Sequence, residues 1–220
     1  EICACLVGSE MCIRDRLILS GAFFNRQDIA ARRSLFMPVN RSIPDVAQKR
    51  KDWNGLISGF KASDLVFLDE SGCNTDMTRR YAYSLGGSRA VDSAPLSKPK
   101  NTTILSSIQL DGTLRYTTFS GGTTVERFKR YLETDLLPHL NGNSVLIMDN
   151  MKSHHARAVR NLLDSSGVRY IYLPPYSPDL NPIEKLWSKV KAFLRKFKAR
   201  TLNALPNAIQ NAFHSVTISD

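Results

Sequence analysis

The amino-acid sequence predicts an α/β domain in which helices flank a mixed five-stranded sheet. Two observations favour this class. From residue 63 onward, short apolar runs alternate with amphipathic helical patterns, in the order strand, hairpin, helix, strand, helix, strand, helix. The pair Asp111-Gly112 separates two strand-like runs, which is a strong signal for an antiparallel hairpin. The five predicted strands cover residues 65–69, 102–110, 113–119, 145–149 and 169–173.

Three helices are predicted after the hairpin. The first covers residues 123–140, and the second covers residues 154–165 and ends at Gly167, a residue suited to a left-handed cap. The third follows a stiff loop, residues 174–182, with Asn181 as its N-cap and Pro182 at its first position. At 100° per residue its apolar side chains fall within an arc of about 120°, which we assign to the core. These side chains are Ile183, Leu186, Trp187, Val190, Phe193, Leu194 and Phe197.

Three carboxylates are placed in positions that suggest a metal site. Asp69 and Asp149 each end a short apolar run of the kind expected for a buried central strand. A charge in such a place is costly unless it is paired or binds a metal ion. Glu184 lies in the first turn of the third helix, where it could equally be a capping residue that only closes the helix start. Together the three residues predict a site for a divalent cation.

Composition and charge narrow the class of partner. The chain of 220 residues is 42% hydrophobic, and no apolar run approaches the roughly 18 residues that a membrane span needs. Its net charge is +10, and residues 151–220 carry eleven Lys/Arg against four Asp/Glu. Positive charge beside an acidic site indicates a polyanionic substrate such as nucleic acid, although a basic surface that only confers solubility is the alternative.

The first 62 residues carry little functional signal. Residues 1–20 resemble a translated sequencing artefact, and we treat them as a non-native or disordered segment. Residues 21–62 are interpreted as a connector, helical around residues 26–36 and 44–60, and the main domain is predicted for residues 63–220. Three of the four cysteines lie within the first twelve residues and form no disulfide or zinc pattern, which indicates a reducing compartment.

Three segments resemble the signature blocks of DDE-superfamily transposases, in the bacterial insertion-sequence branch related to mariner elements. These are Phe67-Leu68-Asp69-Glu70-Ser71, Ile147-Met148-Asp149-Asn150, and the long block Leu173-Pro174-Pro175-Tyr176-Ser177-Pro178-Asp179-Leu180-Asn181-Pro182-Ile183-Glu184. The 34 residues between Asp149 and Glu184 match the spacing in that branch, and the similarity extends over residues 44–213.

The resemblance implies a ribonuclease-H-like fold in which Asp69, Asp149 and Glu184 bind two Mg²⁺ or Mn²⁺ ions. It also implies cleavage of double-stranded DNA at transposon ends and strand transfer into target DNA, by a protein that is a homodimer at full length and acts at the bacterial nucleoid in the cytoplasm. We expect eight residues to contact DNA: Arg79, Arg80, Lys152, His154, Lys185, Lys189, Lys191 and Arg195. Arg79 and Arg80 could equally lie in a solvated loop, and His154 and Asn150 could equally cap the following helix.

Comparison with the family pattern concerns the extent of the chain and the functions that remain as alternatives. Family members carry a helix-turn-helix module before the catalytic core and continue beyond this chain's last residue, so we expect this chain to be a fragment that binds DNA weakly and without sequence preference. A hydrolysis-only nuclease of the same fold, a DNA-binding remnant without activity, and a metal-independent glycosidase with two carboxylates are the remaining alternatives.

Overall fold

The computed structural model describes residues 43–79, 82, 84, 88–95 and 99–217, together with the backbone of residues 5–7 and 10–12. Two short strands near the start, β1 (Cys5–Val7) and β2 (Glu10–Cys12), pair antiparallel. The predicted helix at residues 26–36 and Arg80 lie outside the described residues. In the described part of the chain, no helix is long and apolar enough to cross a bilayer.

The central feature is a mixed five-stranded sheet, as the sequence predicts. Its strands are β3 (Leu65–Cys73), β4 (Thr102–Gln109), β5 (Leu114–Ser120), β6 (Val145–Met148) and β7 (Arg169–Tyr172). They lie in the order β5-β4-β3-β6-β7. β3, β4 and β5 pair antiparallel, whereas β3, β6 and β7 pair parallel. The β4–β5 turn contains Gly112 at a φ of +82°, which glycine adopts without strain.

In the described residues, five α-helices cover the sheet: α1 (Pro44–Ile57), α2 (Val125–Tyr131), α3 (Arg157–Ser166), α4 (Ile183–Phe197) and α5 (Leu205–His214). A π-helical turn, Leu132–Leu136, continues α2, and 3₁₀ turns occupy Ala62–Asp64, Leu137–His139 and Pro178–Leu180. Gly167 ends α3 in the left-handed conformation, as predicted. The sequence analysis did not identify α5.

The helices form two layers, and strand alternation divides the core between them. On one face, Trp187 of α4 and Phe213 of α5 pack with Ile104 of β4. On the other face, Phe128 of α2 and its neighbours pack against Val66 and Leu68 of β3 and against Met148 of β6. Successive residues of β3 therefore point into different layers, which decides where Asp69 and Glu70 lie.

Helix α1 belongs to the packed structure although the sequence assigned it to a connector. Trp53 is 8% exposed and packs with Ile147 of β6 and with Leu173. Arg50 forms two hydrogen bonds with Asp179, at 2.8 and 3.2 Å, and also donates to Ser177. This contact joins α1 to the proline-rich loop that leads into α4. The domain limits at residues 20 and 62 remain a prediction.

Three local expectations need correction. β3 does not end at Asp69 but continues to Cys73, because β4 pairs with it as far as Thr102. α3 begins at Arg157 rather than at residue 154, after a run of turns that contains His154. The side chain of Asn181 does not cap α4, and its buried Oδ1 has no hydrogen-bond partner among the described residues.

Candidate active site

The pairing of β3 with β6 relates the positions of two predicted carboxylates. β3 and β6 are parallel neighbours, and Phe67 pairs with Ile147 in their register. Asp69 lies two residues after Phe67, within β3, and Asp149 lies two residues after Ile147, directly after the end of β6. Because adjacent parallel strands run in the same direction, equal offsets from a paired position carry both residues toward the same edge of the sheet.

Asp69 points into the layer formed by α4. Its Oδ2 accepts a hydrogen bond from Trp187 Nε1 at 3.0 Å. Burial is the main cause that raises the pKa of Asp69 to about 7, and the nearby charge of Glu184 acts in the same direction. The hydrogen bonds from Trp187 and from the backbone of Glu70 oppose this rise. Asp69 is thus a carboxyl group that changes its charge close to neutral pH.

Glu184 lies in the first turn of α4, which the proline-rich loop positions. Burial raises the pKa of Glu184, the positive charge of Lys191 lowers it, and the negative charge of Asp149 raises it. The pKa of Lys191 is lowered by burial, while the charges of Glu184 and Asp69 act against this. Glu184 therefore interacts electrostatically with both aspartates, and Lys191 lies close to the same group of charges.

Asp149 is held by a buried histidine. His154 has no exposed surface, and its Nδ1 lies 2.8 Å from Asp149 Oδ1, while its Nε2 lies 3.0 Å from Glu70 Oε1. Burial alone would lower the pKa of His154, but its contacts with these two carboxylates raise it to about 10. Burial alone would raise the pKa of Asp149, but the bond and charge of His154 and the backbone N–H of Met151 lower it.

One ligand atom from each of Glu70, Asp149 and His154 lies within 4.8 Å of the other two, a spacing that would suit a metal ion. In the described part of the chain, these three residues are the group of potential ligands whose atoms lie this close together. Asp69 and Glu184 do not belong to the group. Both ring nitrogens of His154 already face a carboxylate oxygen at hydrogen-bonding distance. The arrangement is therefore a carboxylate–imidazolium–carboxylate ion pair, and the oxygens of Asp149 are the part of it that borders the predicted site.

The residues predicted to contact DNA have different surroundings. Lys152, Lys185 and Arg79 are exposed, and Lys189, Lys191 and Arg195 are partly buried. Arg79 also lines a cavity of about 590 Å³ together with Lys196 and Lys198. His154 is the correction in this set, because its buried ring does not reach any surface that DNA could contact. It does not cap α3 either, since Ala156 holds that position.

Several side chains around the site were missed or only partly understood from the sequence. Trp187 is a core residue, as predicted, but its indole N–H also binds Asp69. Glu70 faces away from Asp69, as strand alternation predicts, and this is the reason that it meets His154. Asn150 donates to the carbonyl oxygen of Leu173 and does not cap a helix. The available signal is the position of His154, five residues after a predicted ligand.

Fold and site together define an α/β catalytic domain built on acidic residues beside a basic surface. The model of the family described as DDE superfamily endonuclease matches residues 64–205. The chain therefore belongs to the DDE superfamily endonuclease family, as the three sequence segments indicated.

The chain is also similar to a curated transposase in sequence and to solved structures in fold. The Tc1 transposase of Caenorhabditis elegans is 29% identical over 97 residues, which cover 42% of this chain and 36% of that protein. A pre-cleavage Mos1 transpososome superimposes with a TM-score of 0.72 at 20% identity, over 88% of this chain and 61% of that one. The catalytic domain of Mos1 mariner transposase gives 0.60 at 18% identity, over 79% of this chain and 82% of that domain.

These structural matches establish the fold, which is ribonuclease-H-like as expected. The chain spans about a third of the Tc1 transposase and about three fifths of the Mos1 transpososome chain.

Proposed function

We propose that this domain cleaves double-stranded DNA at transposon ends and joins the ends to target DNA by in-line phosphoryl transfer. The observation that carries the proposal is that Asp69 and Asp149 lie at equal offsets after the paired residues Phe67 and Ile147 of adjacent parallel strands, with Glu184 electrostatically coupled to both aspartates. Family membership and the complexes of Mos1 with transposon-end DNA support the same reaction class.

The acidic side chains of the site are chemically suited to divalent cations. Carboxylate oxygens are the ligands that Mg²⁺ and Mn²⁺ prefer. Asp149 uses Oδ1 for its bonds to His154 and to the backbone N–H of Met151, and Oδ2 has no such bond among the described residues. Paired-end complexes of the Mos1 transposase have been solved with Mg and with Mn. We propose that Asp69, Asp149 and Glu184 hold two ions, which would activate the attacking oxygen and stabilise the leaving oxygen.

The chain's own residues have distinct tasks in this reaction. Trp187 binds and fixes Asp69, and His154 binds and fixes Asp149. The proline-rich loop fixes the start of α4 and therefore the position of Glu184. Lys191 places a positive charge beside the acidic site, where it can attract a phosphate group. We also propose that the full-length protein acts as a homodimer at the bacterial nucleoid.

The test is a DNA assay with the purified chain, a supercoiled plasmid and an oligonucleotide that carries a free 3′-hydroxyl group, in the presence of Mn²⁺. We expect nicked plasmid and plasmid–oligonucleotide products, both abolished by EDTA and reduced at least about 10³-fold in Asp69→Asn, Asp149→Asn and Glu184→Gln. Asp111→Asn in the hairpin turn is the matched control and should act like the wild type.

Each alternative function predicts a different result in these assays. Cleavage without joined products would identify a hydrolysis-only nuclease, and DNA binding without cleavage even with Mn²⁺ would identify an inactive remnant. Hydrolysis of a glycoside that persists in EDTA would favour the glycosidase.

A further inference from the structure

The turn between β6 and α3 buries a histidine that the proposed reaction does not use directly. His154 is completely buried, and its ring stacks on Phe128 with centroids 4.1 Å apart and an interplanar angle of 27°. Its carbonyl oxygen accepts a hydrogen bond from the hydroxyl group of Tyr172 at 3.1 Å. Ring and backbone are thus both fixed, so the direction of each ring nitrogen is determined by packing.

The ring connects the two strands that carry the predicted aspartates. Nδ1 contacts Asp149, which directly follows β6, and Nε2 contacts Glu70, which is the neighbour of Asp69 on β3. Glu70 is also deeply buried, with 8% of its side chain exposed, and its Oε2 has no hydrogen-bond partner among the described residues. A buried carboxylate in this situation is costly unless an oppositely charged group compensates it. His154 is the compensating group.

The contact also orients Asp149. Oδ1 accepts from His154 Nδ1 at 2.8 Å and from the backbone N–H of Met151 at 3.0 Å. Two donors on one oxygen fix the plane of the carboxylate and direct the other oxygen away from the turn. Hydrogen bonds of this kind to a metal-binding carboxylate usually change metal affinity or activity by 10- to 100-fold when they are removed.

From this geometry we infer that His154, held by Glu70, is a positioning residue that orients Asp149 for divalent-metal binding and is neither a DNA contact nor a metal ligand. The inference rests on the proposed function, because it takes Asp149 as a ligand. Glu70 and His154 form a buried pair, whose task is to fix the position of Asp149, directly after β6, relative to β3.

Two substitutions at the same position separate positioning from simple packing. His154→Asn retains a donor near the place of Nδ1 and can still bind Asp149, whereas His154→Gln retains a donor near the place of Nε2 and can bind only Glu70. Mn²⁺ affinity is measured with the whole chain by the electron paramagnetic resonance signal of free Mn²⁺, and folding by circular dichroism. We expect His154→Gln to weaken Mn²⁺ binding about 10- to 100-fold, and His154→Asn to weaken it only a few-fold.

A purely structural role predicts the opposite order, because Asn leaves the larger cavity in the core. Glu70→Gln is a second variant that preserves side-chain volume. It replaces a charge-assisted hydrogen bond by a weaker one, so Mn²⁺ affinity should fall about threefold or more. His139→Gln, at an exposed histidine of the Leu137–His139 turn, is the matched control and should retain the wild-type affinity.

Three results would overturn the inference. Unchanged Mn²⁺ affinity in both His154→Gln and Glu70→Gln would do so, and so would a greater loss in His154→Asn than in His154→Gln. A ¹⁴N coupling to bound Mn²⁺ that disappears in His154→Gln would make His154 a ligand instead. If the wild-type chain itself binds no Mn²⁺, the proposed function fails, and this result is distinct from the other three.

Discussion

The indole N–H of Trp187 donates to Asp69 Oδ2 at 3.0 Å, so a residue in the core of the α4 layer also holds a predicted metal ligand. The bond explains how an acidic side chain can remain within a buried strand. It also connects the position of α4, and therefore of Glu184 in its first turn, to the position of Asp69.

Trp187→Phe removes this hydrogen bond and keeps an aromatic side chain in the core. The hydrogen bond lowers the pKa of Asp69, so its loss should raise that pKa further. We expect Mn²⁺ affinity at pH 7 to fall about tenfold and its pH dependence to move to higher pH. The control is Trp53→Phe, since Trp53 Nε1 is buried without a partner among the described residues. Equal effects of the two substitutions would contradict the role of the bond.

Asp69→Asn should stabilise the metal-free chain at alkaline pH. The pKa of Asp69 is about 7 in the folded state and 3.8 in its reference state, so the folded protein holds the proton more tightly. Stability therefore falls as the pH rises from about 4 to 7, and the penalty is complete above pH 7. We expect the variant to gain on the order of 2 kcal/mol at pH 8 in EDTA and nothing below pH 4.

The measurement is thermal or urea unfolding across this pH range. Asp111→Asn is the control. Its change in stability with pH should have the opposite sign, because hydrogen bonds from Thr113 lower the pKa of Asp111. An Asp69→Asn variant whose stability relative to the wild type is the same at pH 4 and pH 8 would show that Asp69 is not the group described.

The Arg50–Asp179 pair should stabilise the loop that leads to Glu184. The side chain of Arg50 is 13% exposed, and it binds both oxygens of Asp179. We expect Arg50→Met to cost about 1–3 kcal/mol in unfolding free energy and to lower the rate of DNA cleavage. The double variant Arg50→Asp with Asp179→Arg should restore part of the unfolding free energy and part of the cleavage rate.

Lys49 provides a matched comparison on the same helix. It pairs with Asp45 at 2.7 Å, but both side chains are more than half exposed. Lys49→Met should therefore change stability by less than about 0.5 kcal/mol. If Lys49→Met and Arg50→Met behaved alike, α1 would have no special connection to the site.

Lys191→Met should weaken DNA binding and change the acidic site. Lys191 lowers the pKa of Glu184, so its removal should raise the pH at which Glu184 ionises. If Lys191 also contacts phosphate, the slope of log affinity against log salt concentration should decrease in magnitude by about one. Lys129→Met is the control, because Lys129 of α2 pairs with Glu133 of the π-helical turn that continues this helix. An unchanged slope and an unchanged pH profile would exclude Lys191 from the interface.

Sequence patterns predicted the sheet and most helices because each depends on local periodicity. The Asp111-Gly112 turn, the left-handed Gly167 and the apolar face of α4 are all visible in short windows of sequence. α1 was predicted as a helix, yet its role was not, because the bond between Arg50 and Asp179 joins residues far apart in the chain.

Contacts between residues far apart in the chain also explain which features of the site the sequence patterns do not predict. Alternation along β3 predicts that Asp69 and Glu70 face opposite layers. No local pattern shows that Trp187 binds Asp69 and that His154 binds Glu70. The closeness of His154 to Asp149 in the sequence predicts a residue that contacts DNA or caps the next helix, and it does not predict burial. The burial of His154 results from the packing of Phe128 and Glu70 around it.

The most direct test of the proposed metal site is a crystal structure of the chain soaked with Mn²⁺, in which the anomalous signal locates the metal. We expect Mn²⁺ between the carboxylates of Asp69 and Asp149, with Glu184 as a further ligand, and His154 bonded to Asp149 but not to the metal. Mn²⁺ bound among Glu70, His154 and Asp149, with Asp69 and Glu184 making no contact with any ion, would contradict this expectation.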